Sequence, residues 1–231
     1  MTTSFRPVIA PEVSELRPDF RLLSVVARNL VNRDEDGDAA AFLTDACSRL
    51  DEAPWAASHL AAWQETYKAF GAKPQRTPCS AEALRKRVAK EGRLPPANAV
   101  VDIYNAVSLR FAVPVGGENL AAYVGAPRLA RATGVEPFDT AKDGIPVQEL
   151  VDAGEVIWKD DLGATCRRWN WRQGRRTRID VDSRDIWFVL EALGPMPDTA
   201  LEEAGEVLVR ELKRLSPGAT FETETIRAVA G

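Results

Sequence analysis

Between Cys166 and Arg178 the chain reads Cys-Arg-Arg-Trp-Asn-Trp-Arg-Gln-Gly-Arg-Arg-Thr-Arg, six arginines and two tryptophans with no acidic residue. The whole protein carries a net charge of −4, so about −10 must sit on the remaining residues. Guanidinium groups present planar forks of donors that match phosphate and carboxylate, and indoles offer faces on which bases stack. The chemistry within reach is recognition of an anionic, ring-bearing partner such as RNA, an aminoacyl-tRNA end or a nucleotide. Read as a strand, the segment places Arg167, Trp169 and Trp171 on one face and Arg168, Asn170 and Arg172 on the other. The polar row suits phosphate or carboxylate. The indole face suits either core packing or a pocket wall, and Arg167 on that face needs a buried anion or a route to solvent. Gln173-Gly174 then turns the chain, and Arg175, Arg176 and Arg178 lie beyond it.

A second basic region runs from Lys73 to Arg93. Lys73, Arg76, Arg85, Lys86, Arg87, Lys90 and Arg93 stand there against Glu82 and Glu91. It reads either as a phosphate-binding face or as a solvated helix surface. A third candidate is the stretch from Asn98 to Phe111, apolar on nearly every side except for Asp102, Asn105 and Ser108, which recur every three residues. Polar groups on a buried helix must find partners, either within the protein or in a ligand. The paired glycines that follow, Gly116 and Gly117, permit close backbone approach.

The one histidine, His59, excludes several chemistries, because a His-based zinc site, a Ser-His-Asp triad or a Cys-His dyad would each need it. Its weakly polar helical setting reads as a surface or half-buried structural residue. Cys47, Cys79 and Cys166 are odd in number and show no CxxC spacing, which fits free thiols in a reducing cytoplasm. The amino terminus lacks the pattern of a signal peptide, and no apolar run approaches the ~20 residues of a membrane span. Neither a metal, another cofactor nor a membrane partner is expected.

The elements that position these residues follow from periodicity and capping. Residues 18–31 read as a strand, and the acidic turn Asp34–Asp38 opens a helix near 38–50. Pro54 to Phe70 is a second helix with Leu60, Trp63, Tyr67 and Phe70 at helical spacing, stopped by Gly71. Ser80 is the expected N-cap of a third. Short strands are expected around 127–132, 155–160, 164–172 and 184–192, then a helix from Asp198 to Leu215 and a loose tail. Helices early and strands late predict a single α+β domain rather than a doubly wound sheet.

Three stretches in order, residues 61–91 (AAWQETYKAFGAKPQRTPCSAEALRKRVAKE), 94–120 (LPPANAVVDIYNAVSLRFAVPVGGENL) and 165–178 (TCRRWNWRQGRRTR), resemble the tRNA-editing (B3/B4) module of the phenylalanyl-tRNA synthetase beta subunit, in free-standing form. The resemblance covers residues 60–220, with 1–59 as an N-terminal strand and helical part of the same domain and 221–231 as the tail. It implies a partly opened β-barrel wrapped by helices. It also implies a partner, tRNA or aminoacyl-tRNA, and a trans-acting deacylase that hydrolyses the ester of a mischarged tRNA; the alternative is a non-catalytic tRNA- or amino-acid-binding module. On this reading Asp102, Asn105, Gly116, Gly117, Arg168 and Arg172 position water and stabilise the oxyanion. Asn98, Ser108, Arg167, Trp169, Asn170 and Trp171 line the substrate pocket, and Lys73, Arg76, Arg85, Arg175, Arg176 and Arg178 hold tRNA. Gly116 falls where the synthetase module has a histidine in Pro-x-His-x-Phe-Asp, so that pocket is not copied directly. Cys166, flanked by arginines, is a minor candidate nucleophile.

Overall fold

The computed structural model describes residues 5–228. Val8–Ile9 forms a short strand, β1, and Pro11–Leu16 a short helix, α1, begun by a proline whose missing N–H is an orphan at a helix start anyway. Strand β2 (Arg21–Arg28) follows, buried over nearly its whole length. Asp36 caps α2 (Gly37–Ser48) by accepting a hydrogen bond from the Ala39 amide. Helix α3 (Ala56–Ala69) gives way to Gly71, whose φ of 85° suits a residue without a side chain.

Helix α4 (Ser80–Glu91) begins one residue earlier than expected. Cys79 occupies the cap position, and the Ser80 hydroxyl oxygen is buried without a hydrogen-bond partner. In α5 (Ala99–Phe111) Asn98 is the cap, its side chain accepting from the Val101 amide. The predicted helices are therefore all present, each within a few residues of its expected bounds.

The strand-rich half contains β3 (Val115–Asn119), β4 (Arg128–Arg131), β5 (Pro137–Lys142), β6 (Ile145–Leu150), β7 (Val156–Lys159), β8 (Ala164–Arg167), β9 (Arg172–Gln173) and β10 (Ile186–Ala192). Helix α6 (Asp198–Leu215) and strand β11 (Thr220–Arg227) complete it. The expected loose tail is thus corrected. Residues 220–227 pair with β2 along its whole length, because their Thr- and Glu-rich alternation fits an exposed edge strand. The last three residues of that tail lie outside the described part.

Two sheets and a hairpin organise the strands, in the orders β1-β4-β7-β8-β9, β11-β2-β10-β3 and β5-β6. The sheets do not close into a barrel; they pack face to face. Because side chains alternate along a strand, β2 and β10 serve two cores at once. Leu23, Val25, Phe188 and Leu190 face α5 and α6. Leu22, Val26, Trp187 and Val189 face the five-stranded sheet and the Trp63 and Tyr67 rings of α3. The space between the sheets is where the chain leaves room for a ligand.

Candidate functional site

The floor of that space comes from β3 and β10. Antiparallel pairing sets Glu118 opposite Trp187 and Gly116 opposite Val189, so these residues and Glu191 project to the same side. Gly116 contributes no side chain, and a Cβ added there would meet no atom within 4 Å. The result is a cavity of about 370 Å³, inside the ~300–1,000 Å³ range of small-molecule sites. Trp158, Trp169 and Trp171 wall it, α5 supplies Tyr104 and Asn105, and α4 supplies Ser80 and Arg87.

Two buried carboxylates dominate its electrostatics. Burial pushes Glu191 up to about 7, although the hydrogen bonds it receives from Trp158 and Asn170 favour its charged form. The Trp158 indole donates to its Oε1 at 2.9 Å, and the Asn170 amide donates to its Oε2 at 2.9 Å. Asn170 is itself held by the Tyr67 hydroxyl, which donates to Oδ1 at 2.8 Å. Burial likewise pushes Glu118 up to about 7 against the hydrogen bond donated by the Tyr123 hydroxyl. Carboxyl groups that titrate near neutrality can exchange protons at physiological pH or take up a cation.

The arginine-tryptophan segment is not one continuous strand. Strand β8 stops at Arg167, and Arg168 and Trp169 both adopt left-handed backbone (φ 47° and 66°) before β9 begins at Arg172. Left-handed conformation costs about 1–2 kcal/mol per non-glycine residue, so the surrounding contacts must hold the reversal in place. Trp169 is fully buried, its ring 5.0 Å from Phe20 and 5.3 Å from Trp63 between centroids. The predicted two-faced strand is thereby corrected: the turn replaces alternation and delivers Trp169, Asn170 and Trp171 together to the cavity.

Arg167, Arg168 and Arg172 lie outside the cavity. Arg167 is buried and finds its anion in Glu155, donating to both carboxylate oxygens at 2.9 and 2.8 Å, with Asp152 at 3.1 Å. Arg168 stacks over Trp171, 4.6 Å from the ring centroid, and shares the same carboxylates. It belongs to a separate cleft of about 480 Å³ with Lys73 and Arg76. Arg172 is exposed and donates to the Ala141 carbonyl. Their shared contribution is to brace the turn from behind.

The polar stripe on α5 divides in the same way. Asn105 reaches the cavity, whereas Asn98 is spent on the cap. Asp102 accepts from the Ala97 amide, and Ser108 donates to the Val113 carbonyl. Burial raises Asp102 above the usual carboxylate range. Gly117 is small for another reason: a Cβ there would lie 2.6 Å from Ile179 Cδ1. Its carbonyl accepts from Gln173 on the outer edge of β3; alternation turns its amide the same way, while the Gly116 amide faces the β10 ladder.

Among the expected tRNA contacts, Arg85 is committed to the carbonyls of Leu109 and Leu50 at 2.7 and 2.6 Å. Arg176 is committed to Asp160 by two bonds of 2.9 and 2.8 Å. Lys73, Arg76, Arg175 and Arg178 are exposed and, among the described residues, have no carboxylate partner. Cys166 is no activated thiol: burial pushes its pKa up, and the charges of Glu118 and Glu191 reinforce that direction. His59 is fully buried rather than at the surface, and burial lowers it to about 4. Its Nε2 accepts from the Trp63 indole and the Leu193 amide, which leaves the proton on Nδ1, donated to the Ala112 carbonyl at 2.9 Å. Among the described residues no group of three His, Cys, Asp or Glu side chains is placed to hold a metal ion, no helix is long and apolar enough to cross a membrane, and all three cysteines are free.

Glu118, Glu191 and Trp158 went unnominated by sequence. One signal was present for Glu191: a single carboxylate inside the apolar run Ile186–Leu193. A charge there must be partnered or functional.

The model of the B3/4 domain matches residues 62–201. The chain belongs to the B3/4 domain family. Its floor strands, the braced turn and both cavity carboxylates all fall inside the matched part. The fold is shared with an N-terminal fragment of the phenylalanyl-tRNA synthetase beta subunit from Pyrococcus horikoshii, at a TM-score of 0.53 and 9% identity, over 95% of this chain and 50% of that one. This B3/4 protein therefore spans about half the length of that fragment. Among curated proteins none matches it.

Proposed function

We propose that this B3/4 protein is an aminoacyl-tRNA deacylase acting in trans, with the Glu118–Glu191 cavity receiving the aminoacyl group. The observation that carries this reading is the cavity itself: about 370 Å³, aromatic-walled, with two buried carboxyls near pH 7. In such hydrolysis a water attacks the ester carbonyl carbon, and the new C–O bond forms as the water loses a proton. Glu118 accepts that proton and returns it to the ribose oxygen as the bond from that oxygen to the acyl carbon breaks. A base with a pKa near the working pH needs neither metal nor histidine, and a dry site strengthens its interactions with the developing charge. Asn105 and the Ser80 hydroxyl are neutral donors lining this cavity. Lys73, Arg76, Arg175 and Arg178 supply phosphate contacts.

The test is incubation with a panel of mischarged tRNAs, following release of labelled amino acid. Loss of ester well above background for at least one member, abolished in Glu118→Gln, is the expected result. No loss above background across the panel would overturn the enzyme reading. Retained, salt-dependent tRNA binding in that case would leave a binding module.

A further inference from the structure

We propose that the cavity recognises a free ammonium group at Glu191, so that it accepts acyl groups with an unblocked amine and rejects their N-acylated counterparts. The inference rests on the aminoacyl reading above and narrows its substrate class. Glu191 lies on the cavity floor with one N–H already placed on each carboxylate oxygen, from Trp158 and Asn170. A carboxylate has about four acceptor sites, more than these donors fill, and Glu191 lines the cavity. A ligand ammonium is the donor that would make full use of a buried, pre-oriented carboxylate.

The cavity also presents an unused donor. The buried indole N–H of Trp169 is directed at the Glu191 carboxylate and favours its charged form, whereas the Ser80 hydroxyl on the cavity wall is buried and without a partner. Buried polar groups left unpaired are uncommon and mark where a ligand's acceptor belongs. A carboxylate acceptor and an orphan hydroxyl donor lining one cavity match an ammonium and a carbonyl oxygen of the same ligand, as in an α-aminoacyl group. Glu118, the other carboxyl on the floor, is engaged by the Tyr123 hydroxyl and is assigned to the attacking water in the aminoacyl reading. Tyr104 and Cys166 are both pushed up by burial and stay neutral, and Arg87 at the rim is paired with Glu91 at 3.1 Å. Acylating the amine removes its charge and adds bulk against Trp158 and Trp169.

The test needs neither tRNA nor an ester, so its outcome is independent of deacylation. Binding of alaninamide, leucinamide and phenylalaninamide is measured by calorimetry at pH 8, each against its N-acetyl derivative. At least one free amide should bind ten-fold or more tightly than its acetylated partner, and Glu191→Gln should erase that difference. At pH 6 the same binding should release close to one proton, read from the dependence of heat on buffer, because an ammonium ionises a carboxyl that is otherwise protonated. Trp169→Phe, which keeps a ring and removes the N–H, should weaken the free amide several-fold. No binding by any amide, equal binding within every pair, or a preference that survives Glu191→Gln would each overturn the proposal.

Discussion

Replacing Glu191 by glutamine isolates the consequence of burying a carboxyl between two sheets. In the folded protein its pKa stands at about 7, against the ordinary glutamate value of 4.5. A raised folded pKa means that the native state binds the proton more tightly than the unfolded chain does. Its contribution is therefore fully present below pH 4.5 and is lost as pH rises through 7. The difference between the two values corresponds to about 3 kcal/mol. Glutamine does not titrate, so the variant should gain about that much on the wild type between pH 4.5 and 8. The Gln amide must also face the indole and Asn170 donors, a pH-independent penalty that shifts the curve without tilting it. Glu118 interacts with Glu191, so the two carboxyls titrate as a pair and the transition is broad. Urea unfolding at half-unit steps from pH 4.5 to 8, followed by tryptophan fluorescence, measures the difference directly. Parallel curves for the two proteins would show that Glu191 is solvated and that the cavity is not as dry as the geometry requires.

Three further outcomes test other parts of the molecule. His59 titrates in the opposite sense: its folded value of about 4 lies below the ordinary 6.5, so stability present above pH 6.5 falls by about 3 kcal/mol as pH drops through 4, and urea midpoints of His59→Gln over that window should lack this slope. Gly116→Leu should fill the cavity and abolish amide binding with little change in melting temperature, whereas Gly117→Ala should cost about 1–3 kcal/mol by crowding Ile179; a Gly116→Leu protein that still binds would place the site elsewhere. Arg175→Ala and Arg178→Ala should each lower the salt dependence of tRNA binding by about one unit of slope. Arg176→Ala should instead destabilise the fold by about 3 kcal/mol, since it strands the buried Asp160 carboxylate.

Much of the helical framework was legible because its signals are local. The acidic turn Asp34–Asp38 opens α2, Gly71 follows α3, and the apolar run of α5 announces its burial. Strands β7 and β10 were visible as β-branched and aromatic runs, and β4 as a short segment set off by the Gly and Pro residues around it. Strands β3 and β11 were not, since Gly-Gly and Thr-Glu sequences acquire strand form only from the partners β10 and β2. The site divided along the same line. Trp169, Asn170 and Trp171 stood out by composition, and the cavity does gather them. The backbone reversal at Arg168 and Trp169 is set by tertiary contacts with Glu155 and the Phe20–Trp63 rings, so face assignment by alternation failed there. Arginine density pointed to RNA, yet Arg167 and Arg176 answer buried carboxylates that lie elsewhere in the sequence.

The position of Glu191 also bears on how β10 finds its place. Both faces of that strand are apolar, Trp187 and Val189 toward one core and Ile186, Phe188 and Leu190 toward the other. Hydrophobic alternation, which normally penalises a slip of one residue, distinguishes the two alignments poorly here. Glu191 breaks the tie. In a slipped pairing its carboxylate would turn from Trp158 and Asn170 toward the apolar side chains packed against α5 and α6. A group that is costly in the correct alignment is costlier still in the wrong one, and refolding of Glu191→Leu should expose this as a slow, heterogeneous phase. The carboxylate that gives the cavity its chemistry thus also acts as the proofreading mark for the strand that carries it.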